Sequence, residues 1–96
     1  MAIFVDRPTW PGHGLLWSHL ISDTSYGELH EFASGLGIPQ QAFERDHYDV
    51  IEARFDEVVA AGAQIVSTRD IVRILLRSGL RVRARRTVTR RSTDAS

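Results

Sequence analysis

Apolar and polar positions along this chain switch between a period of two and a helical period, and the switches mark its elements. Ile3-Phe4-Val5 is a short apolar run that stops at Asp6, the pattern of a buried strand. Residues 7–14, Arg-Pro-Thr-Trp-Pro-Gly-His-Gly, carry two Pro and two Gly and read as a loop. Over Trp17–Ser22 the period is two: Trp17, His19 and Ile21 share one face, Ser18, Leu20 and Ser22 the other. Ser25-Tyr26-Gly27-Glu28 then fits a capping box, in which Ser accepts a backbone N–H and Glu reaches back. The helix it opens lines up Leu29, Phe32, Ala33 and Leu36; Gly37 suits its C′ position, and Pro39 prevents resumption.

Beyond that helix the pattern is weaker. Gln40–Phe43 reads as one further turn and His47–Ile51 as a strand. Glu52–Ala61 reads as a helix burying Phe55, Val58 and Val59, closed by Gly62. Gln64–Val66 is a short strand. Ser67 and Asp70 bracket a second capping-box-like start, and the helix that follows buries Ile71, Ile74 and Leu75 and stops near Gly79. The order is β-β-α-β-α-β-α. Strands alternating with helices predict an α/β fold with a small, mainly parallel sheet and helices packed on it.

Composition narrows the class. The 96 residues predict one domain, and 43% hydrophobic with 25% charged residues is ordinary for a soluble globular protein. No apolar run approaches the roughly 20 residues a membrane helix needs. The N-terminus lacks a basic stretch before its apolar run and does not read as a signal peptide, so a cytoplasmic location is the default expectation. Cys is absent, which excludes disulfides and leaves His and carboxylate as the metal ligands. Net charge is zero but unevenly spread. Residues 1–80, the expected domain, hold six Arg and eleven acids; residues 81–96, an expected basic tail, hold six Arg and one acid. Such a tail suits phosphate contacts with nucleic acid, or an acidic partner.

The chemistry-bearing residues cluster. All four His (His13, His19, His30 and His47) fall within residues 13–47, with acids beside most of them. Imidazole exchanges protons and binds metals near neutral pH. Standard motifs are missing: no glycine-rich phosphate loop, no Gly-x-Ser-x-Gly elbow, no His-Glu-x-x-His. Any metal site must therefore assemble through the fold.

Several stretches together carry a resemblance: Phe4-Val5-Asp6; Trp17-Ser18-His19-Leu20 with Asp23-Thr24; Glu28-Leu29-His30; Asp46-His47-Tyr48-Asp49; and Ala61-Gly62-Ala63. Over roughly residues 2–78 the chain resembles a family of small bacterial and phage proteins known as domain of unknown function 4031. The resemblance implies a compact α/β domain. It implies Asp6, His19, Asp23, His30, His47, Tyr48 and Asp49 as signature positions, and no established activity.

Strand placement adds a chemical expectation. Ligands of open α/β sheets bind beyond the carboxyl ends of the strands. Asp6 ends the first strand, Asp23 follows the second, Asp49 lies late in the third, and Arg69 follows the fourth. Parallel strands would bring these groups to one edge. Converging carboxylates suit Mg²⁺ or Mn²⁺, and imidazole shifts preference toward Mn²⁺, Fe²⁺ or Zn²⁺. In that scheme Asp6, Asp23, His30 and Asp49 hold a divalent metal, His47 and His19 move the proton, and Tyr48 and Arg69 assist binding. Each residue also has a plainer role: Asp6 in a turn, His19 in the core, Asp23 or Asp49 as a helix cap.

Three functions stay open from the residues. One is a small metal-dependent hydrolase acting on a phosphate ester or nucleotide. The second is a non-catalytic binding domain that uses the Arg tail. The third is a self-associating accessory protein whose His/Asp groups form a structural network.

Overall fold

A computed structural model describes residues 2–81. The sheet runs in the order β4-β5-β3-β1-β6, with β2 also paired to β3. Its strands are β1 (Ile3–Val5), β2 (Trp10–Gly12), β3 (Leu15–Ser22), β4 (Phe43–Glu44), β5 (His47–Ile51) and β6 (Gln64–Ile65); the helices are α1 (Tyr26–Gly35), α2 (Phe55–Ala60) and α3 (Thr68–Ser78). The fold is α/β, but the sheet is mixed rather than mainly parallel. Among the described residues only the β1–β6 pairing is parallel; β1–β3, β2–β3, β3–β5 and β4–β5 are antiparallel.

Two hairpins produce the difference, because a two-residue turn can join only antiparallel strands. The expected loop at 7–14 contains the first. Trp10, Pro11 and Gly12 pair with Trp17, Leu16 and Leu15, and the turn is His13-Gly14. Both turn residues have positive φ, 53° and 75°, as a type I′ hairpin requires. Pro11 is tolerated because β2 is short and pairs only with β3. The second hairpin, β4–β5, turns through Arg45 and Asp46, with Arg45 at φ 62°. An Arg in that region is uncommon and leaves no glycine signal in the sequence.

β1 and β2 lie end to end along the same edge of β3. Their registers on β3 differ by two residues, and the chain between them bulges out over residues 6–9. The central strand thus loses a regular partner beside His19, and Asp6 sits at the break.

The sheet has helices on both faces. Ile3, Val5, Leu20, Tyr48 and Val50 pack with Leu29 and Ala33 of α1 and Val58 of α2. Ile21 and Phe4 pack on the other face with Ile71, Ile74 and Leu75 of α3. The period-two alternation of β3 and β5 follows. His19 and Ile21 point to the α3 face, as do His47 and Asp49; Leu20, Tyr48 and Val50 point to the α1 face.

The helix ends largely follow their sequence signals. The Ser25 side chain accepts the Glu28 N–H and that of Ser67 the Asp70 N–H, and Gly79 closes α3 at φ 82°. The reciprocal half of the first capping box is rerouted: Glu28 accepts a hydrogen bond from the Ser22 hydroxyl at 2.5 Å, and Ser22 Oγ takes the Ser25 N–H at 3.2 Å. The expected helix over 52–61 divides into a 3-10 turn at Glu52–Arg54 and the shorter α2.

One buried group in this framework lacks compensation. Ser18 is fully buried, and its hydroxyl has no hydrogen-bond partner among the described residues. An unsatisfied buried hydroxyl costs about 1–3 kcal/mol. Ser18→Ala is therefore expected to stabilise the domain by about 1 kcal/mol, read as a rise in urea midpoint at constant m. A loss of stability would show that the hydroxyl is satisfied after all.

Candidate functional site

The β-register alone brings three ligand-type side chains together. His19 on β3 is the direct cross-strand partner of Asp49 on β5. His47, two residues before Asp49, lies on the same face and on the diagonal. Such neighbours are the nearest side chains a sheet can offer. One ligand atom from each of His19, His47 and Asp49 falls within a common 4.8 Å. The two imidazole centroids are 5.0 Å apart, and the rings meet edge to face.

Each imidazole is oriented by a buried carboxylate. Asp6, 1% exposed, holds His19 Nδ1 at 2.8 Å through Oδ2, and its Oδ1 accepts the His19 backbone N–H at 2.6 Å. Here the side chain stands in for the strand partner lost at the 6–9 bulge. The Thr68 hydroxyl, from the first turn of α3, donates to the same Oδ2 at 2.8 Å. Asp46, 3% exposed and placed by the β4–β5 turn, holds His47 Nδ1 at 2.9 Å. With Nδ1 of each ring engaged, Nε2 is the nitrogen left to face the cluster. Carboxylate–histidine pairs of this kind fix the tautomer and raise ligand basicity.

His47 carries the more informative geometry. Its Nε2 also lies 3.2 Å from Asp49 Oδ1. The two ring nitrogens of His47 thus lie between the buried Asp46 and the more exposed Asp49.

Asp6 has its pKa lowered. Burial acts to raise it, but hydrogen bonds from the His19 ring, the His19 backbone and Thr68, with the His19 charge, together outweigh burial. The carboxyl is held ionised, as an acceptor for His19 must be.

A small cavity of about 180 Å³ opens over the cluster. His19 and His47 line it with Trp10, Thr68 and Arg81, and α3 supplies an apolar wall. The Trp10 ring stands 5.0 Å from that of His19. Arg81, just past α3, reaches back to Asp46 at 3.6 Å.

The structure separates the other expected residues from this cluster. Asp23 is at the opposite end of β1 from Asp6, because β1 and β3 are antiparallel and Ile3 pairs with Ser22. There its Oδ1 accepts the Ala2 N–H at 2.9 Å and the Thr24 hydroxyl at 2.8 Å. These contacts, the Ala2 N–H foremost, lower its pKa despite an opposing desolvation effect. His30 and Tyr48 meet on the α1 face, where His30 Nδ1 and the Tyr48 hydroxyl are 2.6 Å apart. Burial raises the Tyr48 pKa. Arg69 is exposed on α3, since one helical step turns it about 100° from Thr68, the residue that faces Asp6. His13 is a hairpin turn residue. Convergence at parallel strand ends thus gives way to convergence across antiparallel strands. Asp46, Thr68 and Arg81 were not singled out from sequence as site groups. For Asp46 the signal was present, an acid adjacent to His47; Arg81 figured only as the first residue of the basic tail, and Thr68 carried no signal.

Fold and site together define a small mixed-sheet α/β domain with a carboxylate-buttressed His/Asp cluster on one sheet face. The chain belongs to the family DUF4031, described as protein of unknown function, whose model matches residues 3–78. Neither a curated protein nor a solved structure matches it. No helix among the described residues is long and apolar enough to cross a membrane. The basic tail expected at 81–96 lies, apart from Arg81, outside the described residues.

Proposed function

We propose that this protein is a divalent-metal-dependent hydrolase of phosphate esters, with the ion held by His19, His47 and Asp49. The observation that carries the reading is the double buttressing: two imidazoles offer ligand atoms within 4.8 Å of each other and of Asp49, each ring backed at Nδ1 by a buried carboxylate. Three protein ligands with an open side match the donor set of catalytic rather than structural zinc. Two nitrogens and one oxygen favour Zn²⁺ or Mn²⁺ over Mg²⁺. In this reading both His are ligands, not proton shuttles, and Asp6 and Asp46 are positioning residues.

The ion would supply a water acidic enough to ionise near neutral pH. With His19, His47 and Asp49 as the ion's ligands, that water would be the nucleophile for hydrolysis of an ester P–O bond. The chain contributes the rest. Arg81 offers a guanidinium to phosphoryl oxygens at the cavity rim, and the α3 wall of Ile71 and Leu75 excludes bulk water.

The test uses protein purified without a histidine tag. It is expected to carry or take up one Zn²⁺ or Mn²⁺ per chain. It is also expected to hydrolyse p-nitrophenyl phosphate in a reaction abolished by a chelator and restored by the ion. Failure to bind either ion at micromolar concentration would end the proposal, as would hydrolysis indifferent to the chelator.

A further inference from the structure

A second, larger cleft adjoins the cluster. It encloses about 420 Å³ and shares Trp10 with the small cavity. Asp49, one of the cluster's three ligand-type residues, is also in its wall. The remaining walls include Trp17, Gln41 and Glu44. The β2–β3 hairpin builds the aromatic side. Trp10 and Trp17 are cross-strand partners and so project from the same face of the ribbon. Trp17 is pinned there, its Nε1 donating to the Gly12 carbonyl at 2.9 Å. Gly12 permits this: a Cβ at that position would lie 3.3 Å from Trp17 Nε1. Trp10 remains 45% exposed. A large indole left uncovered beside a polar cluster is an unfilled stacking surface.

Charge and size orient the occupant. The small cavity has Arg81 and room for a phosphoryl group. The larger cleft has no Arg in its lining; it carries the Glu44 and Asp49 carboxylates, the Gln41 amide and the His13 imidazole. Such a lining repels phosphate and accepts N–H and O–H donors. We infer that the cleft receives the base and ribose of a mononucleotide, the base stacking on Trp10 and donating to Glu44, while its phosphate occupies the cavity over His19 and His47. The phosphate end rests on the hydrolase reading; the base end rests on the cleft alone. Hydrolysis there would give a nucleoside and inorganic phosphate, with water supplying the hydroxyl to phosphorus and the proton to the ribose oxygen.

Calorimetric titration of the zinc-loaded protein with adenosine and guanosine monophosphates, and with ribose 5-phosphate, tests the inference. Base–aromatic stacking is worth about 1–3 kcal/mol per base, so at least one mononucleotide is expected to bind roughly tenfold or more tighter than ribose 5-phosphate. Trp10→Ala should bring mononucleotide affinity down to that of ribose 5-phosphate measured on the same variant; Glu44→Gln, on an exposed residue, should weaken mononucleotide binding severalfold. Equal affinity for all three probes, no binding of any, or a preference that survives Trp10→Ala in folded protein would overturn the inference. A parallel titration of chelator-stripped protein with adenosine and guanosine follows the emission of Trp10 and Trp17, the chain's two tryptophans. Saturable quenching in protein that takes up no metal would leave the cleft inference standing and remove the hydrolase. Metal uptake with no base preference would do the reverse.

Discussion

Asp6→Ala is expected to lower folding stability by about 3–5 kcal/mol, the range for breaking a buried hydrogen-bonded charge pair. The carboxylate is 1% exposed and satisfies three donors: the His19 N–H, the His19 ring and the Thr68 hydroxyl. Alanine leaves all three without that acceptor, and the first sits where the β1–β3 ladder has already ended. Urea unfolding reads the loss; a change under 1 kcal/mol would mean these contacts do not hold the break together. The same pairing gives a pH dependence. The folded pKa of Asp6 lies below its ordinary value of 3.8. Its contribution is therefore fully present above that value and is lost as pH falls through the lower folded pKa. Wild type should lose stability on acidification below about pH 4 more steeply than Asp6→Asn, which cannot titrate. Asp6→Asn also separates fold from site. It keeps the shape but sets a weaker, uncharged partner against Nδ1, and metal affinity should fall by about 10–100-fold, as when an outer partner of a ligating His is removed.

His47→Ala has the larger expected effect on chemistry. It removes one of three ligands, so Zn²⁺ affinity should fall by more than the roughly 100-fold upper range for outer partners, and p-nitrophenyl phosphate hydrolysis should disappear. Stability should fall less than in Asp6→Ala, because Asp46 keeps the ion pair with Arg81. Metal content by mass spectrometry and a thermal melt check the two halves. A variant that retains its ion would remove His47 from the ligand set. A collapse in stability with no bound metal in wild type would instead favour a structural His/Asp network. Asp46→Asn, which alters only the Nδ1 partner, should fall between wild type and His47→Ala in metal affinity.

Local chemistry was enough to place α1 and α3. Ser25 and Ser67 cap through their own side chains, and Gly37 and Gly79 adopt the positive φ that the sequence signal implies. These are contacts within a few residues, so the sequence contains both partners side by side. The alternation of β3 was readable for the same reason, and it already put Trp17, His19 and Ile21 on one face. The signature residues implied by the family resemblance included the cluster His19, His47 and Asp49, with Asp6 behind it.

Strand direction and register were not local. Two hairpins hide here, one in a segment whose dense Pro and Gly mask the short strand β2 and one turning through Arg45, which carries no turn signal. Reading the first as a loop and missing the second made a parallel sheet seem natural, and that wrong direction placed Asp23 beside Asp6. In the antiparallel β1–β3 pair the two are at opposite ends of the strand, and β3–β5 pairing sets His19 against Asp49 instead. His30 and Tyr48 join each other across the opposite face because a one-residue step along β5 reverses the side chain. Thr68 and Arg81 enter the site only because α3 crosses the sheet face above it. The sequence by itself determined which residues cap, turn and alternate, since those depend on neighbours along the chain. Only the tertiary structure decided which His meets which carboxylate, since that depends on pairings between strands that the chain order does not encode.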